Sequence, residues 1–201
     1  AGEKETDFRS FLLKAKAANP DAIVLSGLVD ETVRALKQSY EVGIPKSVAR
    51  VANSVASKVE VPTNAGKAAV GVTYAAAFAA SDKRPIAKKF VKKIKDKYGV
   101  VPGHDFSQMQ DLLDMLRPAL EKAQLKFSGN LAADRNQVRD SIASITNFTG
   151  LASGPIGFCA AGSPECRDGN KTPVMIEYTK GGKNWKTKVA GTVTFNPSAG
   201  L

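Results

Sequence analysis

The residues able to do chemistry are few and scattered. The chain has one histidine, His104, and two cysteines, Cys159 and Cys166. One His and two Cys cannot by themselves complete the tetrahedral N/S ligand set of a structural zinc site, so no metal is expected. Carboxylates are plentiful, but no pair stands out from the solvated background. There is no G-x-S-x-G, P-loop, G-x-G-x-x-G or H-E-x-x-H pattern. An enzyme reading therefore has little support, no cofactor is expected, and a binding module remains. The stretch that suggests binding is "NPDAIVLSGLVDE", residues 19–31. Its apolar run stops at Ser26-Gly27, and a helix starts by Asp30. In open α/β sheets, ligands are held in turns beyond the carboxyl ends of strands, which makes Gly27, Leu28 and Val29 site candidates.

The cysteines lie in "GFCAAGSPECRDG", where Gly162, Ser163 and Pro164 let the chain turn back. A local Cys159–Cys166 disulfide, implying an oxidising compartment, is one reading; two unpaired thiols is the other. Composition sets wider bounds. The 201 residues suit one large domain or two small lobes, with 43% hydrophobic and 24% charged residues. No apolar run reaches the roughly 18 residues of a membrane span. The net charge of +10 raises the question of nucleic acid. However, the densest basic run, "KKFVKKIKDKY" (88–98), reads as the solvated face of a helix whose Ile86, Phe90, Val91 and Ile94 recur at helical spacing. A sheet with aromatic and glycine interleaving, as in RNA binders, is missing, so no nucleic-acid partner is expected.

These candidates need elements to position them. Asp7 to Ala18 reads as a helix with Phe8, Phe11, Leu12 and Ala15 on one face. "DAIVL" reads as a buried strand. Asp30 is expected to cap a helix with Val33, Leu36 and Tyr40 inward, closed by Gly43. "SVARVA" and "VGVTY" read as further strands, with Gly66 and Gly71 around a turn. Helix and strand alternating at this spacing predict βαβ units and a parallel sheet, an α/β fold. Pro85 suits the first turn of a helix ending near Tyr98-Gly99. Asp105 followed by Gln108 fits a capping box for a helix with Met109, Leu112, Leu113, Leu116 and Leu120 on its core face, kinked at Pro118. "NQVRDSIASITNF" predicts another helix with Val138, Ile142 and Ile145 inward. "TPVMIEYTKGGKNWKTKVAGTVTF" alternates about Gly181-Gly182, a hairpin signal.

Seven segments then follow one another in a familiar order: "TDFRSFLLKAKAANPDAIVLSG", "ALKQSYEVGIP", "AGKAAVGV", "PIAKKFVKKIKDKYGVVP", "ALEKA", "VRDSIASITNFTGLASGPIGF" and "GNKTPVMIEYTKGGK". Together they resemble the periplasmic solute-binding proteins of ABC transporters, in the branched-chain amino-acid (leucine/isoleucine/valine-binding) family. The resemblance implies a type I periplasmic-binding-protein fold, two Rossmann-like lobes with parallel sheets, present here only in its C-terminal portion. Residues 1–78 would belong to the C-terminal lobe, 79–172 to the N-terminal lobe, and 173–201 would return to the C-terminal one. The start "AGEKETDF" reads as a point inside a longer sequence, so a truncated or proteolysed chain is expected. Helices left without their sheet would then show an apolar patch, favouring an oligomer.

The same resemblance implies an extracytoplasmic, periplasmic subunit. Its partners would be a small-molecule solute, an amino acid or organic acid held between lobes, and the ABC permease of the inner membrane. A sensor or receptor ectodomain with the same fold is the alternative. Relatives that bind amino acids carry an aromatic residue in the turn after "AIVLSG"; Leu28 or Val29 stands there. A carboxylate that receives the α-ammonium group would fall at Ala52, Asn53 or Ser54, none of which is acidic. A second aromatic position falls near His104, Asp105 and Phe106. Asp105 has a competing reading as a plain helix cap, and His104 as a surface residue. A buried ammonium without counter-charge is costly, so a carboxylate solute lacking an ammonium group competes with the amino acid.

Overall fold

The computed structural model describes residues 5–123, 129–152, 156–158 and 173–192; the Cys159–Cys166 pairing lies outside them. The chain divides into two compact units, Ala1–Ser81 with Val174–Gly191 and Asp82–Pro173 with Thr192–Leu201.

The first unit is α/β. Helix α1 (Arg9–Ala17) leads to strand β1 (Ala22–Leu25), helix α2 (Val29–Glu41) and strand β2 (Ala49–Ala52). Two short 3-10 turns flank helix α3 (Glu60–Ala65), and strand β3 (Val72–Ala76) follows. The chain returns later as β4 (Val174–Lys180) and β5 (Lys186–Thr192), the hairpin expected about Gly181-Gly182. The five strands lie in sequence order, with β1–β2 and β2–β3 parallel and β3–β4 antiparallel. The α/β sheet predicted from the alternation of elements is therefore present, with its first three strands parallel and the returning β4–β5 hairpin making it mixed.

The core sits on one face of this sheet. Leu36 and Val33 of α2 and Val61 of α3 pack with Ala52, Val72, Tyr74, Ile176 and Tyr178 of the strands. Tyr178 is the largest fully buried side chain. Its ring lies 5.2 Å from that of Tyr74 and edge-on to Trp185, and its hydroxyl donates to the carbonyl of Ala56. Full burial of a side chain of this size contributes about 1.5–3 kcal/mol, and the Tyr178 hydroxyl finds its required acceptor. Arg50 points into the same side at 7% exposure. Its guanidinium donates to Ser39 Oγ and to the carbonyls of Pro45, Val48 and Ile44. Burial lowers its pKa, but the arrangement holds because each donor has a backbone or hydroxyl acceptor.

The opposite face corrects one expectation. "DAIVL" was expected to be buried on both sides, yet β1 lies at the sheet edge, and Val24 is 73% exposed. Ala49 and Ala75 are exposed beside it. The helices of this unit pack on the other face, so half of β1's apolar run has no cover among the described residues. Phe11, assigned to the inner face of α1, is 47% exposed, whereas Leu12 is buried against Ile44 and Val48.

The second unit is helical where it is described. Helix α4 (Pro85–Tyr98) starts on Pro85, buries Phe90 and Ile94, and stops at Gly99, whose φ of 71° suits a left-handed cap. Helix α5 (His104–Ala123) differs from expectation at both levels. It starts at His104, which puts Asp105 inside the first turn and not at the cap. It buries Ser107, Asp111, Ala119 and Ala123, while Met109, Leu112, Leu113 and Leu120 are exposed. The small face is inward, with Asp111 anchored there by hydrogen bonds, and the leucine stripe is partly exposed. Helix α6 (Leu131–Ala143) keeps Val138 and Ile142 half-buried, as does Ile145 just beyond it.

Candidate solute site

Because β1 and β2 are parallel neighbours, with Leu25 paired to Ala52, their carboxyl ends emerge side by side. The turns after them, Ser26–Leu28 and Asn53–Ser57, therefore adjoin. Asn53 joins them. Its Nδ2 donates to the Gly27 carbonyl at 3.1 Å, and its Oδ1 accepts the Val55 N–H at 3.2 Å, capping the 3-10 turn Ser54–Ser57. Asn53 is thus a strut between the two turns.

Gly27 allows the start of α2 to come close. A Cβ there would lie 3.1 Å from Glu31 Cβ. Glu31 uses that approach: its carboxylate accepts the Leu28 N–H. This is one half of a capping box, since a leucine side chain has no acceptor to complete the other half. Asp30 was expected to cap the helix; the helix instead begins at Val29, and Glu31 does the capping from the first turn. A carboxylate at this position also meets the positive end of the helix dipole.

A cavity of about 590 Å³ opens at this corner of the first unit. Leu28, Val29 and Val55 give it an apolar wall, and Arg34 and Lys58 add cationic groups. Asp30 and Glu31 from α2, and Glu5 and Thr6 from the segment before α1, complete it. That segment is placed by the buried Gln38, which accepts the Phe8 N–H and donates to the Thr6 carbonyl. Glu5 is turned to its own backbone, accepting the N–H groups of Thr6 and Asp7.

Of the residues singled out in the sequence, Leu28 and Val29 line this cavity and Leu28 is 70% exposed. Gly27 and Asn53 form its supporting turns, and Ser54 begins the adjacent 3-10 turn. His104, Asp105 and Phe106 belong to the second unit, in the first turn of α5. His104 Nε2 is 2.8 Å from Asp105 Oδ1, and Phe106 is 47% exposed. Sequence reasoning missed Asp30, Arg34, Val55 and Lys58 as lining residues. The helical period offered one signal, because Asp30 and Arg34 are four apart and share a face with the start of the helix. Among the described residues no cluster of His, Cys, Asp and Glu could hold a metal ion, and no helix is long and apolar enough to cross a membrane.

Comparison with known proteins fits this architecture. The sequence matches the periplasmic binding protein family over residues 2–165. The chain belongs to that family. Its fold is similar to a leucine-binding protein of Thermotoga maritima, with a TM-score of 0.77 at 26% identity, covering 96% of this chain and 50% of that one. A branched-chain amino-acid transporter substrate-binding protein of Streptococcus pneumoniae, solved with isoleucine, gives 0.78 at 22% identity, covering 97% and 51%. A solute-binding protein of an ABC transporter from R. palustris, solved with benzoate, gives 0.71 at 18% identity, covering 96% and 49%. This chain thus spans about half the length of these structures. None of the curated proteins matches it in sequence.

Proposed function

We propose that this chain is part of an extracytoplasmic solute-binding subunit of an ABC uptake transporter, and that its solute is a branched-chain amino acid or a similar small carboxylate. The carrying observation is the cavity at the carboxyl ends of β1 and β2, with Leu28, Val29 and Val55 as an apolar wall and charged groups at its border. A largely apolar recess with a few polar anchors is the usual form of a small-molecule site. In this reading the first unit is part of the C-terminal lobe and the second is part of the N-terminal lobe. The complete protein would deliver its solute to an inner-membrane permease from the periplasm, and it needs no covalent chemistry to do so.

The solute's charge pattern follows from which side chains are already occupied. Asn53 is bound to Gly27 and Val55, and Glu31 to Leu28. Arg34 lines the cavity where it can meet a carboxylate, and Asp30 where it can meet an ammonium group. Asp30→Asn separates the two solute classes. It should weaken an amino acid such as L-leucine by about tenfold or more, the loss of one charge-assisted contact, while leaving benzoate unchanged. Calorimetric titration of the parent chain and of Asp30→Asn with each solute reads this. Equal weakening of both solutes, or of neither, contradicts the assignment of Asp30.

A further inference from the structure

Helix α4 carries the densest charge of one sign in the chain. Lys88, Lys89, Lys92, Lys93, Lys95 and Lys97 are all exposed along it. Asp96 is its only acidic residue, and Lys92 pairs with it. The other five have no ion-pair partner among the described residues. Helical spacing puts them in order. Ala87, Phe90 and Ile94 form the buried side. Lys88, Lys92 and Lys95 make one row and Lys89, Lys93 and Lys97 a second, and together the rows fill the outward half of the helix. They present their charges along about 14 Å of helix axis. Like charges at this spacing repel one another, and an anionic surface relieves that repulsion.

Apolar groups choose among the anionic partners. Ile86, at the start of the helix, is 45% exposed, and Tyr98, Val100 and Val101, at and just beyond its end, are 57%, 42% and 37% exposed. Lys97 Nζ stands 5.1 Å from the centroid of the Tyr98 ring. Lysine beside tyrosine suits the boundary between water and lipid. There an amphipathic ring sits at the depth of the headgroups, and a lysine stem lies along apolar groups while its ammonium stays wet. A nucleic-acid backbone offers the phosphates but no apolar layer for these side chains.

We propose that the outward face of α4 docks on an anionic phospholipid surface, with its lysines against the headgroup phosphates and the end of the helix, from Tyr98 to Val101, at headgroup depth. The contact is peripheral. The apolar side of α4 is already buried within the second unit, so the helix lies on the surface and does not insert as a free amphipathic helix does. None of these lysines lines the solute cavity, and the docking does not rest on the identity of the solute.

Flotation of the whole chain with lipid vesicles tests the proposal. Binding is expected to phosphatidylcholine vesicles holding about 30% phosphatidylglycerol and not to phosphatidylcholine alone. It should be lost between about 0.1 M and about 1 M salt, as the screening length falls from about 10 Å to about 3 Å. Lys88→Gln, Lys89→Gln, Lys93→Gln and Lys95→Gln together keep the Lys92–Asp96 pair and the helix propensity. Each lysine at an anionic surface is worth about fivefold, so this variant should lose at least about tenfold in affinity. A control of equal charge, with Lys14→Gln, Lys37→Gln, Lys183→Gln and Lys186→Gln, changes exposed lysines of the first unit and should lose less than about threefold. Tyr98→Ser should weaken vesicle binding and leave retention on a DNA duplex unchanged. Failure of the parent chain to bind the anionic vesicles, equal binding to phosphatidylcholine alone, equal losses in the two lysine sets, or tighter retention on a DNA duplex than on the vesicles would overturn it.

Discussion

Replacing Asp111 by Asn changes one atom and should cost far more than an average substitution. The Asp111 carboxylate is buried and takes two backbone N–H groups, from Leu151 and Ala152. An asparagine can present its carbonyl to one of them, but its amide nitrogen then faces the other, donor against donor. A hydrogen bond to a charged group is worth about 1.5–3 kcal/mol, and a buried unsatisfied donor costs about 1–3 kcal/mol. Allowing for relaxation of the turn, Asp111→Asn should destabilise the second unit by about 2–4 kcal/mol. Urea denaturation followed by far-UV circular dichroism reads this as a fall in midpoint at unchanged slope, roughly 1–2 M for a slope of about 2 kcal/mol/M. The chain's one tryptophan, Trp185, provides an internal control because it belongs to the first unit. Its fluorescence transition should stay where it is. A circular-dichroism midpoint that moves by the equivalent of less than about 0.5 kcal/mol would refute the reasoning. A Trp185 transition that moves as far as the circular-dichroism transition would show that the two units unfold as one.

Other predictions follow from the same chemistry. Arg50→Met removes the donors that satisfy Ser39 Oγ and the carbonyls of Ile44 and Val48; it should lower the first unit's stability by about 2–4 kcal/mol, visible in the Trp185 transition. Burial raises the pKa of Tyr74 to about 12 and that of Tyr178 above the ordinary tyrosine value of 10.0. A folded-state pKa above the unfolded one gives stability that is whole below pH 10 and is lost as pH rises through the folded value. The first unit should therefore weaken between about pH 10 and 12, and Tyr74→Phe should reduce that slope in alkaline denaturation.

The sequence showed those features whose causes are local. Pro85 and Gly99 mark the two ends of α4 by backbone preference alone, and Val33 and Leu36 fall on the inner side of α2 by helical period. The hairpin of β4 and β5 was readable from its alternation and its glycines. What could not be read depends on neighbours distant in sequence. The run Ala22–Leu25 has the composition of a central strand, and only the pairing shows it at an edge with Val24 uncovered. The leucine stripe of α5 has the stronger apolar period, yet the opposite face is inward, with Asp111 anchored to partners some forty residues downstream. At the candidate site, Leu28 and Val29 were readable from the strand-to-helix change. The strut role of Asn53 was not, since it needs β1 and β2 to be neighbours. The capping by Glu31 was hidden because the residue it reaches is a leucine, outside the usual capping pattern.

The central claim is that the recess beyond β1 and β2 takes a small carboxylate. Titration of the ¹⁵N-labelled chain with L-leucine, L-isoleucine and benzoate, read by amide chemical shifts, tests it most directly. Saturable shifts with at least one of these solutes, concentrated at residues 27–34 and 53–58, are the predicted result. Shifts spread over the surface without saturation, or saturable shifts that leave Leu28, Val29 and Val55 unmoved, would contradict the account.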